Sequence, residues 1–106
     1  MTFTLTSRAF KDGERLPDAQ VFDGMGYRGG NISPPLAWSG APEGTRSFAI
    51  TMYDPDAPTG SGWWHWVAVN IPATVTTLAA GAGSGDADLP EGAFMTRTDF
   101  GGNVYG

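Results

Sequence analysis

The chain contains no cysteine and a single histidine, His65. Without thiols there is no disulfide, no Cys-ligated zinc and no thiol nucleophile. One imidazole offers no donor set for a transition metal, and the prolines break Asp54-Pro55-Asp56 as a calcium loop. No metal and no cofactor is therefore expected. Charge is also scarce: Asp, Glu, Lys and Arg make up 16% of the residues, and the balance is acidic, at -5. Phosphate backbones and anionic membrane surfaces repel such a chain, which argues against nucleic-acid binding. No Lys or Arg occurs between Arg46 and Arg97, so the middle of the chain must hold any ligand without a basic side chain. No apolar run approaches the roughly 18 residues of a transmembrane helix. The start, Met1-Thr2-Phe3-Thr4-Leu5-Thr6, lacks the basic and apolar regions of a signal peptide, and a cytoplasmic location is expected.

What the chain does have is glycine, proline and short apolar runs. Its 106 residues predict a single domain, 1–106, with one core. The 16 Gly and 8 Pro are scattered among apolar runs without a repeat, which fits a fold rich in turns. Residues 3–7 alternate Phe and Leu with Thr, a short strand pattern. Lys11 to Ser33 is polar, with turn signals at Asp23-Gly24 and Gly29-Gly30. Asn31 to Trp38 reads as extended around Pro34 and Pro35. Ser47–Tyr53 predicts a strand with Phe48, Ile50 and Met52 on one face. Trp64–Ile71 predicts a second, central strand, with His65, Val67, Val69 and Ile71 on one face and Trp64, Trp66 and Ala68 on the other. Weaker strand patterns follow at Val75–Leu78 and Ala93–Thr96, with a small-residue loop over Ala79–Asp88 between them. No stretch has the apolar 3.6 periodicity of a helix. The fold class expected is mainly β.

Chemistry concentrates between these two central strands. Asp54 ends one and His65 opens the other, and a carboxylate beside an imidazole fixes its tautomer and favours its cationic form. Pro55 and Pro58 stiffen the loop between them. The same residues also have plain structural readings. An Asp before Pro is a common turn residue, and a histidine opening an apolar strand is often simply hydrogen-bonded. Tryptophans such as Trp63, Trp64 and Trp66 serve cores more often than recognition surfaces.

The run Tyr53-Asp54-Pro55-Asp56-Ala57-Pro58, then Trp63-Trp64-His65-Trp66-Val67, then Asn70-Ile71-Pro72, resembles the signature of the phosphatidylethanolamine-binding protein family. It is most similar to the bacterial Raf-kinase-inhibitor-like branch. Asn31 to Gly40 and Arg46-Ser47-Phe48-Ala49 fit that branch too, so the resemblance runs from about Phe3 to Gly106. It implies a β-sandwich with a large antiparallel sheet and a small second sheet. It also implies a pocket for phosphate or phosphoethanolamine headgroups, and a regulatory role as an inhibitor of kinases or proteases or as a signalling scaffold. Asp54 and His65 match the pocket carboxylate and first pocket histidine, and Trp63 matches a pocket-wall aromatic. Pro58 borders the pocket, Asp56 braces the loop, and Tyr53 opens the motif as a supporting residue. Gly106 joins the ligand-binding set at the entrance to the family's Gly-Pro-rich loop. There the chain departs from the pattern: a second pocket histidine and further elements follow in the family. The C-terminal part is expected to be missing, the chain being a fragment, a truncated product, or one partner of a dimer or two-chain assembly.

The lack of basic residues constrains the ligand. A phosphate about 4 Å from an ionised Asp54 is repelled by roughly 4 kcal/mol at an effective dielectric near 20. A singly charged anion, or a zwitterion whose ammonium meets the carboxylate while His65 and backbone N–H groups take the phosphate, avoids this. Two other classes compete. A small hydrolase using Asp54 or Asp56 with His65 has only Ser61 nearby as a nucleophile, and no Gly-x-Ser-x-Gly or His-Glu-x-x-His motif. A carbohydrate-binding module would use Trp63, Trp64 and Trp66 as a stacking platform.

Overall fold

The computed structural model describes residues 2–24, 28–84 and 89–106. Six strands carry the fold: β1 (Thr4–Thr6), β2 (Leu36–Ser39), β3 (Ser47–Asp54), β4 (Trp63–Pro72), β5 (Thr77–Leu78) and β6 (Phe94–Met95). They form two antiparallel sheets, ordered β1-β2-β5 and β3-β4-β6. The expectation of a large and a small sheet is met in strand length rather than strand number. Among the described residues the helical content is two single 3-10 turns, Asp18–Gln20 and Ala82–Ser84. The expected loops at Lys11–Ser33 and Ala79–Asp88 run partly outside the described residues, at 25–27 and 85–88.

Both sheets turn their apolar faces to one core. Trp38 and Leu78 come from the first sheet, and Trp66, Ala68, Ile71 and Met95 from the second. Trp38 meets the Phe48 ring edge-on at 5.5 Å across the interface. Trp66, 1% exposed, is central: its indole N–H points to the Met95 sulfur at 3.3 Å, and its ring meets Tyr105 edge-on at 5.7 Å.

β3 alternates as expected, with Phe48, Ile50 and Met52 turned inward and their neighbours exposed. β4 does not, which corrects the expected faces. Two β-bulges interrupt its pairing with β3. At the first, Val69 and Asn70 together oppose Ala49, since Ala68 pairs with Ile50 and Ile71 with Phe48. Asn70 takes a left-handed φ of 58°, which asparagine tolerates, and its side chain donates to Gly92 O at 2.8 Å. Ile71 thereby joins Ala68 in the core instead of sharing a face with Val67. At the second, Trp66 pairs with Met52 but Trp64 pairs with Tyr53, so His65 has no opposite residue. One extra residue reverses the side on which every following residue points. Trp66 is therefore buried while Trp64 is exposed and packed against Tyr53, ring centroids 4.6 Å apart and planes tilted by 45°.

A buried backbone crossing lies beneath Trp66. The Gly83 N–H donates to Ser33 Oγ at 2.7 Å, and Gly83 O accepts from the Tyr105 N–H at 2.9 Å. A Cβ on Gly83 would stand 2.9 Å from the Trp66 ring and from Tyr105 Cβ, and 3.0 Å from Ser33 Cβ. None of these is the free end of a flexible chain. Gly83→Ala is expected to destabilise the fold by about 1–3 kcal/mol, read as a lower urea midpoint with an unchanged slope.

Candidate functional site

The second bulge builds the site. It places Trp63 opposite Asp54 at the end of the β3-β4 ladder and sends the His65 side chain to the inner side, toward that carboxylate. His65 Nε2 lies 3.3 Å from Asp54 Oδ2, and Nδ1 lies 2.6 Å from Gly106 O. A carbonyl oxygen only accepts, so Nδ1 carries a proton. Nε2 then bonds to Asp54 only with a second proton, held on the ring or on the carboxyl. The other carboxylate oxygen, Asp54 Oδ1, accepts the Asp56 N–H at 2.9 Å and closes the turn that starts the loop.

These groups border a cavity of about 550 Å³. Asp54, Asp56, Pro58, Trp63, His65 and Gly106 all line it. Tyr53 does not: it faces the other side of the sheet, where its hydroxyl donates to Ser61 O at 2.7 Å. It still braces the 54–62 loop, from outside. Gly62, with φ 80°, passes against the Tyr53 ring so closely that any Cβ would overlap it.

The rest of the wall was not foreseen from the sequence. Gln20, Val21 and Phe22 come from the long N-terminal loop, and Phe100 and Tyr105 from the last segment. Phe100 is the hub of the aromatic side, 4.6 Å from Phe22, 5.1 Å from Trp63 and 6.2 Å from His65 between ring centroids. Its only sequence signal is its place in Asp99-Phe100-Gly101. Tyr105 ties the two contributing segments together, its hydroxyl donating to Gln20 O at 2.6 Å. Two wall residues hold enclosed polar atoms without a hydrogen-bond partner: Trp63 Nε1, a donor, and Gln20 Oε1, an acceptor.

The lining carries two carboxylates and one imidazole but no Lys or Arg. Among the described residues its hydroxyls are those of Thr59, donating to Gly62 O at 2.6 Å, and Tyr105, whose proton is given to Gln20 O. Ser61 is not on the wall. The three neighbouring tryptophans lie in three settings: Trp63 on the cavity, Trp64 on the outer face and Trp66 in the core. They form no common platform, which removes the carbohydrate-stacking arrangement.

Residues 6–106 match the family described as phosphatidylethanolamine-binding protein. The chain belongs to that family. It is 58% identical to YbhB of Escherichia coli K12 over 101 residues, covering 95% of this chain and 64% of YbhB. It is 60% identical to YbcL of the same organism over 105 residues, covering 98% of this chain and 57% of YbcL. The crystal structure of YbcL, a new member of the mammalian PEBP family, superposes with a TM-score of 0.94 over 98% of this chain and 64% of that one. A phosphatidylethanolamine-binding protein homologue from Chlamydia trachomatis superposes with a TM-score of 0.78 at 30% identity, over 97% of this chain and 62% of that one. The chain thus spans about three fifths of the length of these bacterial relatives. Among the described residues no helix is long and apolar enough to cross a membrane.

Burial raises the Tyr105 phenol from its ordinary 10.0 to about 12. The folded state therefore holds this proton more tightly than the unfolded chain. The resulting stability is complete below pH 10 and lost as pH rises toward 12. Thermal unfolding is expected to show this alkaline decline, and Tyr105→Phe to flatten it while losing about 1 kcal/mol with the hydrogen bond.

Proposed function

We propose that the cavity binds a small phosphate-bearing zwitterion of the phosphoethanolamine type, and that the protein acts by binding rather than by catalysis. The observation that carries this reading is the convergence of Asp54, His65 and an aromatic wall on one cavity lined by no basic residue. Its volume, about 550 Å³, lies within the usual range for small-ligand sites. His65, when protonated, supplies a cation for a phosphate, and the carboxylates of Asp54 and Asp56 suit an ammonium. Membership of a family described by phosphatidylethanolamine binding supports the same ligand class. Against hydrolysis stands the lack of an activated nucleophile among the described residues, since both described hydroxyls on the wall give their protons to backbone carbonyls.

Among the described residues the titratable groups that line the cavity are Asp54, Asp56, His65 and Tyr105. Of these only the imidazole ordinarily changes charge between pH 5 and 8. Isothermal titration calorimetry is expected to show phosphoethanolamine binding at both pH 5.5 and pH 8. Inorganic phosphate, which lacks an ammonium to offset Asp54, is expected to bind about tenfold more weakly at the higher pH. His65→Ala is expected to weaken both ligands by at least about tenfold. Equal phosphate affinity at the two pH values, or an unaffected His65→Ala protein, contradicts the reading.

A further inference from the structure

We infer that Asp99, which does not line the cavity, is a positioning residue of the site: it holds the β-bulge that aims His65. The effect on ligand affinity rests on the binding function proposed above; the effect on the bulge does not.

A bulge leaves its extra residue without a ladder partner and needs other groups to fix its shape. On one side of Trp64 and His65 lies β3, with its irregular register. On the other side β6 is only Phe94–Met95, paired opposite Val69 and Ala68. One more ladder bond follows, from Thr96 N–H to Val67 O at 2.9 Å. The chain then leaves strand geometry. Thr98 and Gly102 close a tight turn, Thr98 N–H donating to Gly102 O at 3.0 Å and Gly101 N–H to Thr98 O at 2.9 Å.

Asp99 stands in for the absent strand. Its backbone N–H donates to Trp64 O at 3.1 Å, and its Oδ2 accepts the Trp64 N–H at 2.7 Å. A side-chain carboxylate thus takes the place of the carbonyl a neighbouring strand would offer. The next bonds along the bulge are those of Gly106, its N–H to His65 O at 3.1 Å and its carbonyl to His65 Nδ1 at 2.6 Å. Asp99 also sets the start of Phe100, whose ring packs on Trp63 and Phe22 over the cavity. Releasing Trp64 therefore loosens the imidazole and the aromatic wall together.

The test compares Asp99→Ala with Asp99→Asn, which keeps an acceptor oxygen for the Trp64 N–H but not the charge. Nitrogen-15 NMR follows the His65 ring signals and the exchange rate of the Trp64 amide, and calorimetry follows phosphoethanolamine. Asp99→Ala is expected to move the His65 ring signals, speed Trp64 exchange about tenfold or more, and weaken binding by about tenfold. Asp99→Asn is expected to stay within about twofold of the parent in both respects. Unmoved His65 signals and unchanged Trp64 protection in Asp99→Ala overturn the inference. So does an Asn variant as impaired as the Ala variant, because charge rather than the hydrogen bond would then matter. If Asp99→Ala does not fold, the Asn variant decides alone: altered His65 signals in it overturn the inference, parental ones support it. A parent protein that ignores phosphoethanolamine overturns the binding function instead, while the NMR comparison still decides the role of Asp99.

Discussion

The site depends on one extra residue in β4. Were β4 regular between Trp63 and Trp66, alternation would put His65 and Trp66 on opposite sides of the sheet. The core would lose Trp66 or the cavity would lose its imidazole. The bulge lets both face inward, with Trp64 alone turned out onto Tyr53. Core and site are thus coupled through two adjacent residues: Trp66 packs on Tyr105 and Met95, while His65 reaches Asp54 and Gly106. The 98–106 segment serves both, since Tyr105 sits in the core and Gly106 on the imidazole.

Electrostatically the cavity is unusual for the phosphate-bearing ligand proposed, because its described walls carry acids and no permanent cation. Two features reconcile this with an anionic group. His65 is cationic when protonated, and the aromatic wall formed by Phe22, Trp63 and Phe100 lowers the polarity around it. In such surroundings a charge-assisted hydrogen bond is stronger than in water, but an unbalanced charge is heavily penalised. A ligand with both signs of charge satisfies these demands better than a bare dianion.

Much of this was legible in the sequence. Strand alternation located β3 and β4, and the run from Tyr53 to Val67 identified the family and five of the wall residues, Asp54, Asp56, Pro58, Trp63 and His65. What alternation missed follows from the bulges, which leave no mark in a hydrophobic pattern: at the first bulge only the type of Asn70 hints at its left-handed backbone. Because the pattern was read as regular, Trp64 and Trp66 were placed together and Ile71 on the wrong face. The N-terminal and C-terminal walls were missed for another reason. Gln20, Phe22 and Phe100 lie in irregular loops, and long-range contacts such as the 2.6 Å bond from Tyr105 to Gln20 bring them to the cavity. No local propensity encodes such a contact.

The most direct test of the account is where the ligand sits. Intermolecular nuclear Overhauser effects from the methylene protons of phosphoethanolamine distinguish the two faces of the β3-β4 sheet. The account predicts contacts to the rings of His65, Trp63 and Phe100 on the cavity side. Contacts to Trp64 and Tyr53 on the outer face, with none to His65, would contradict it.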